Sequence, residues 1–151
     1  MTGPTSLVRT AEQQNRLDFL LDAFARDVPH VVHAAAATTD GLPLAATRSV
    51  DENNREQLCA SISGVMAVLE TSARLMQGGG VINHMTNMDH GSAIFQRARN
   101  GLVTFMVLIE EQVDIEQLQF ELERLGDRIG ETLNPGLRSP VAAVPQARRP
   151  S

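Results

Sequence analysis

DENNREQLCASISGVMAVLETSARLMQGGG, residues 51–80, decides how the rest of this chain is read. Leu58, Ile62, Val65, Leu69, Ala73 and Met76 recur three and four apart and predict one continuous apolar stripe on a helix from Asp51 to Gln77. Asp51 stands where an N-cap belongs, and Glu52 suits the positive end of the helix dipole. Gly78-Gly79-Gly80 supplies a C-cap and a flexible exit. Beside the stripe runs a second line, Ser61, Gly64, Val68 and Ser72, of small or apolar side chains. A glycine inside a helix costs about 1 kcal/mol relative to alanine, so Gly64 invites a packing explanation. Two stay open: the flank faces a sheet, or it meets another helix.

Downstream, three strand-like runs follow. Val81 to Met88 is polar at Asn83, His84, Thr86 and Asn87, which suits a sheet edge. Asp89-His90-Gly91 turns the chain into Ser92 to Ala98, and Asn100-Gly101 is a type I′ hairpin signal before Leu102 to Ile109. That last run is almost wholly apolar and belongs at a sheet centre covered on both faces. Asp114 with Gln117 forms a capping-box pattern ahead of a final helix carrying Ile115, Leu118, Leu122, Leu125 and Ile129 on one face. Asn134-Pro135-Gly136 ends it.

Upstream, Thr10 and Gln13 make another capping box, and Leu17, Leu20, Leu21 and Phe24 fall at helical spacing. Pro29 stops that helix. Val31 to Thr38 and Leu42 to Thr47, separated by Asp40-Gly41, read as a hairpin, and Pro43 demotes its second strand to an edge. In order this is α-β-β-α-β-β-β-α, an α/β (α+β) fold. Residues 1–10 and 138–151, rich in Gly, Pro, Ser or Arg, read as disordered tails around one domain, 11–137.

The chain has 151 residues, enough for one core, and all thirteen basic residues are Arg. The absence of Lys excludes a Walker A loop, a kinase strand lysine and Schiff-base chemistry. Arg9, Arg138, Arg148 and Arg149 lie in the tails; the remaining nine arginines face eighteen acids, a net charge of −9. A domain that acidic repels phosphate backbones, so nucleic acid is not expected as a partner. One cysteine, no signal-peptide stretch and no apolar run of membrane-spanning length point to a soluble, cytoplasmic protein without membrane insertion.

No catalytic set emerges, and no cofactor or metal is expected. The triple glycine follows a helix and precedes a strand, the reverse of a phosphate-binding order. His84, Asp89 and His90 lack metal-ligand spacing, and His30 and His33 fare no better. Cys59 sits mid-helix without a base in sequence reach and reads as a buried, inert thiol. Ser61 and Ser63 lack a nucleophile elbow, and Glu110-Glu111 reads as a solvated turn. Arg48, Arg55, Arg97 and Arg99 lie near turns, where an arginine could act in trans on a partner's nucleotide.

Taken together, Leu17-Asp18-Phe19-Leu20-Leu21, Val28-Pro29-His30-Val31-Val32-His33-Ala34, Thr39-Asp40-Gly41-Leu42-Pro43-Leu44-Ala45, the long helix ending in glycines and Leu133-Asn134-Pro135-Gly136-Leu137-Arg138 form a pattern. It resembles the roadblock (dynein light-chain roadblock-type) domain family, particularly its stand-alone actinobacterial members, from about Asn15 to Pro140. The resemblance implies a roadblock/profilin-like, five-stranded antiparallel sheet, with the first and last helices on one face and the long helix on the other. It also implies a homodimer built from the long helix and the third strand. That would place Ser61, Gly64, Val68, Ser72, Ile82, His84 and Thr86 at the interface. The family is non-catalytic and regulates Ras-like small GTPases, in actinobacteria beside a sensor histidine kinase. The runner-up is a PAS- or GAF-like small-ligand sensor, disfavoured by a chain with no Trp, no Tyr and five Phe.

Overall fold

A computed structural model describes residues 10–110 and 113–134. Helix α1 spans Ala11–Asp27, strands β1 and β2 span Val31–Thr38 and Pro43–Ala46, and helix α2 spans Arg55–Leu75 after a 3₁₀ turn at Glu52–Asn54. Strands β3 (Asn83–Met88), β4 (Gly91–Arg97) and β5 (Val103–Ile109) then form a meander, and α3 (Ile115–Leu133) closes the fold. The five strands are antiparallel in the order β2-β1-β5-β4-β3, so β2 and β3 are the edges and apolar β5 is central, as expected.

Alternation along β1 feeds two cores. Ala34 and Ala36 join Leu17, Leu21 and Phe24 of α1 and Leu118, Leu122, Leu125 and Ile129 of α3. Ala35 and Ala37 join Cys59, Ile62 and Met66 of α2 on the opposite face. All four alanines are fully buried. Strand geometry prevails over alanine's helical preference because both faces of the sheet are covered.

Capping explains the helix boundaries. Thr10 and Gln13 form the full capping box expected of them. At α3 only half of the box forms: Asp114 accepts from the Gln117 N–H, whereas the Gln117 side chain donates to Glu121. Asp51 caps the 3₁₀ turn rather than the helix, which therefore begins later than Asp51. At the far end of α2, Gln77 N–H donates to the Arg74 carbonyl and Gly78 N–H to Ala73 at 2.8 Å. This is a Schellman ending whose left-handed residue is Gln77 (φ 58°) and not one of the three glycines.

Two strand-level expectations need correction. Asn100 does not take positive φ, so its hairpin is not type I′. Gly101 N–H closes a turn onto Ala98, and Gly101 alone is left-handed (φ 75°). The Asp40-Gly41 turn repeats this design, with Gly41 N–H on Thr38. Val81 and Ile82 lie outside β3, which starts at Asn83. Pro135 and Gly136 lie outside the described residues.

Replacing Gln77 by glycine removes the left-handed penalty and should stabilise the fold by ~0.5–1 kcal/mol, a rise of a few degrees in Tm by calorimetry. Gly91→Ala should lower Tm, because a Cβ there would lie 2.7 Å from the Ile109 carbonyl oxygen at φ 117°.

Candidate interaction surface

Helix α2 packs across β1, β2 and β5, and it does so with little of its surface. Cys59, Ile62 and Met66 are buried, Leu58, Val65, Leu69 and Ala73 are half-buried, and Met76 at the end of the expected stripe is exposed. The stripe is therefore right for the first turns and leaves the sheet later. Ser61, Gly64, Val68 and Ser72 all face solvent, so in the single chain they do not face the sheet. A Cβ added at Gly64 would meet nothing within 4 Å. No described residue of this chain supplies a packing reason for that glycine.

The outward face is unusual for a surface helix. From Gln57 to Leu69 it carries no charge, and Ala60, Ser61, Gly64, Ala67 and Val68 look outward. Val68 is 67% exposed and Leu75 80%. Contrary to expectation, Glu52–Leu75 is long and apolar enough to cross a membrane, with a window of mean hydropathy 1.3 of which 17% is buried. Its apolar residues beneath the sheet and the Glu70–Arg97 ion pair show the same helix serving as one layer of a folded domain. What stands out is apolar surface that the described residues leave open.

The open edge at β3 lies beside it. Arg97 N–H donates to the Ile82 carbonyl at 3.3 Å, which sets the phase of the β3–β4 ladder. Alternation then points the main-chain groups of Asn83, Met85 and Asn87 away from β4, along the free edge. His84 and Thr86 pair with Phe95 and Ala93, and so share the sheet face that α2 covers. The His84 ring lies 3.0 Å from Thr86 Oγ1 and 6.0 Å from the Phe95 centroid. No proline and no charged residue blunts β3.

The other candidates resolve into structure. His33 Nδ1 lies 2.7 Å from Ser49 Oγ, which bonds Thr47 and the Val32 carbonyl, tying the start of β1 to the loop after β2. Among the described residues no group of His, Cys, Asp and Glu could hold a metal. His90 and Glu110 are exposed; Glu111 lies outside the described residues. Arg55 is anchored by Asp18 at 3.6 Å and Arg97 by Glu70, whereas the Arg48 side chain is 89% exposed and Arg99 projects from the β4–β5 turn.

Cys59 is buried, with Sγ donating to the Ala36 carbonyl at 3.6 Å. Burial pushes its thiol above the ordinary 9.0, opposed by the Leu44 main chain and the Arg55 charge.

These features define the class: an α/β sandwich with an uncharged helix face and an open strand edge, and no assembled reaction centre among its described residues. Residues 17–108 match the Roadblock/LC7 domain, and the chain belongs to that family. Among curated proteins none shows significant similarity. Similar solved structures include a Roadblock/LC7 domain from Streptomyces avermitilis, 23% identical, with TM-score 0.65 over 81% of this chain and 98% of that one. The gliding protein MglB from Thermus thermophilus is 11% identical, with TM-score 0.66 over 85% and 96%. An MglB with a tetrameric arrangement is also 11% identical, with TM-score 0.68 over 85% and 95%. At these identities the likeness is one of fold.

The shifted thiol sets two expectations. A disulfide reagent at pH 8 should modify Cys59 at least tenfold more slowly in the native protein than in urea. Because the folded state holds the thiol proton more tightly, the Cys59 contribution to stability should be constant below pH 9 and decline above it. Denaturant midpoints across that range, compared with Cys59→Ala, check the sign.

Proposed function

We propose that this chain works as a homodimeric, non-catalytic regulator in the cytoplasm that binds a Ras-like small GTPase. One observation supports it above the others: the outward face of α2, apolar or small from Ala60 to Ser72, with open space above Gly64. Two such faces brought together by a two-fold axis would bury Val68 and let the backbones approach at Gly64. Edge pairing of β3 with its copy would extend the sheet to ten strands. Ile82, His84 and Thr86 would lie along that seam. A relative of the same fold has been described in a tetrameric arrangement, in keeping with a fold that assembles.

The GTPase reading rests on family membership. Its mechanism is differential binding: the dimer favours one conformation of the partner's nucleotide-dependent loops and shifts that equilibrium. Arg99, exposed on the β4–β5 turn, is the arginine placed to reach a bound nucleotide, whereas Arg48 is paired with Asp22 at 3.5 Å.

Gly64→Arg and Val68→Asp test the dimer. Neither meets its own chain's core, so far-UV circular dichroism should be unchanged, and Gly64→Arg should even stabilise the monomer through helix propensity. Sedimentation should show dimer association weakened about 100-fold or more, equivalent to ~3 kcal/mol. Wild-type protein that stays monomeric at high concentration would refute the assembly. For the partner, co-elution with a Ras-like GTPase from the same organism and a change in its GTP turnover are expected. Absence of both would end the regulatory reading.

A further inference from the structure

Strand β3 is covered on one face only. His84 and Thr86, on the side of α2, are half-buried, whereas Asn83, Met85 and Asn87 are exposed. Met85 pairs with Ile94, whose side chain belongs to the core beneath α1 and α3, so the bare face is the one on the side of α3. That helix stops short of β3 and lies over β4 and β5. Gly126 sits against Ala98 and Phe105, and the Glu123 carboxylate accepts from the Arg99 N–H at 3.1 Å. The flank of α3 nearest β3 carries Glu116, Phe120, Glu123 and Asp127 and borders a groove of about 930 Å³, with Ile82 at its outer rim. Phe120 is 57% exposed there. Of the lining arginines, Arg97 is held by Glu70 and Arg124 by Glu121, so three carboxylates face Arg99 alone.

We propose that dimerisation turns this half-open groove into a two-walled trough that seats one helix of a partner protein, apolar on its inner face and basic along both flanks. The proposal rests on the β3 edge pairing described above. The main-chain groups of Asn83, Met85 and Asn87 point along the free edge, and antiparallel pairing sets such residues directly opposite one another. The two-fold arrangement that engages all three puts Met85 opposite its copy and Asn83 opposite Asn87 of the second chain. Their side chains form the floor, with methionines at its centre, a residue that adapts to irregular apolar partners. The walls are the two copies of α3. Each lies over β4 and β5, so their axes stand four strand spacings apart, about 19 Å. Packed helices lie about 8–10 Å apart, axis to axis, so the gap admits one helix between the walls and no second. The two-fold axis passes through the floor, and a helix lying on it serves both chains, giving one ligand per dimer. Phe120 of each wall supplies apolar contact, while Glu116, Glu123 and Asp127 select Lys or Arg on the flanks and reject an acidic segment.

The test uses the full chain and two synthetic peptides of about 18 residues, ~27 Å long as helices, with leucines on one face and either lysines or glutamates on the flanks. Titration calorimetry at physiological ionic strength should show one lysine peptide bound per two chains and no binding of the glutamate peptide. Phe120→Ser should weaken the lysine peptide about tenfold or more. Glu116→Lys with Asp127→Lys should exchange the preference, so that the glutamate peptide binds instead. Both groove variants should still sediment as dimers. Val68→Asp, which separates the chains from the opposite side of the sheet, should abolish tight binding by removing one wall. A dimer that binds neither peptide, takes up two, or keeps its affinity in the groove variants overturns the trough and leaves the dimer reading intact. Undiminished binding by monomeric Val68→Asp protein overturns it as well. Wild-type protein that sediments only as a monomer removes the dimer reading, and the trough with it.

Discussion

The close contact between the alanine ladder of β1 and the layers on either side governs this structure. Ala34 to Ala37 stand in the middle of the sheet, paired with Val107 to Thr104 of β5, and alternate between two cores. Larger side chains there would push α2 away from the sheet, and the Cys59 thiol could no longer reach the Ala36 carbonyl. On the other face, Gly126 has the same purpose: a Cβ there would lie 2.9 Å from Ala98 Cβ, so α3 sits directly on the β4–β5 hairpin. The sandwich is thin because its contact points are small.

A thin layer has a consequence for α2. A helix seated on alanines presents only a narrow strip inward, here Cys59, Ile62 and Met66, and the rest of its circumference is left for solvent or a partner. On α1 and α3 that remainder is charged, with Glu12, Arg16 and Arg26 on one and Glu116, Asp127 and Arg128 on the other. On α2 it is alanine, serine, glycine and valine. Core packing cannot explain a face that does not touch the core. Contiguous exposed surface of that composition is uncommon on a helix packed over a sheet.

Much of this was legible in the sequence because it follows from short-range rules. The element order, both edge strands, the central place of β5 and the Thr10 capping box depend on periodicity, proline and local side-chain bonds. What could not be read depends on contacts distant in sequence. The stripe was extended to Met76 because periodicity does not say where a helix passes the margin of its sheet. Gln77 took the left-handed cap position although three glycines follow, because the helix ends where its hydrogen bonds run out. The expected type I′ turn at Asn100 gave way to a turn with Gly101 alone left-handed; Thr39 Oγ1 donates to the Gly101 carbonyl at 2.6 Å, coupling this turn to the β1–β2 hairpin. The flank at Ser61, Gly64, Val68 and Ser72 was visible as a pattern, but only the open space above Gly64 separates an outward face from an inward one.

The polar residues complete the argument by what holds them. Thr47 and Ser49 bind the start of β1, Asp18 and Asp22 hold Arg55 and Arg48, and Glu70 holds Arg97. Each of these groups closes a join between neighbouring elements, so its chemistry is committed to keeping strands and helices in register. A reaction centre needs the opposite arrangement, polar groups converging on a space that a substrate can enter. Here the named polar contacts brace the frame, and the apolar outward helix face is confined to α2.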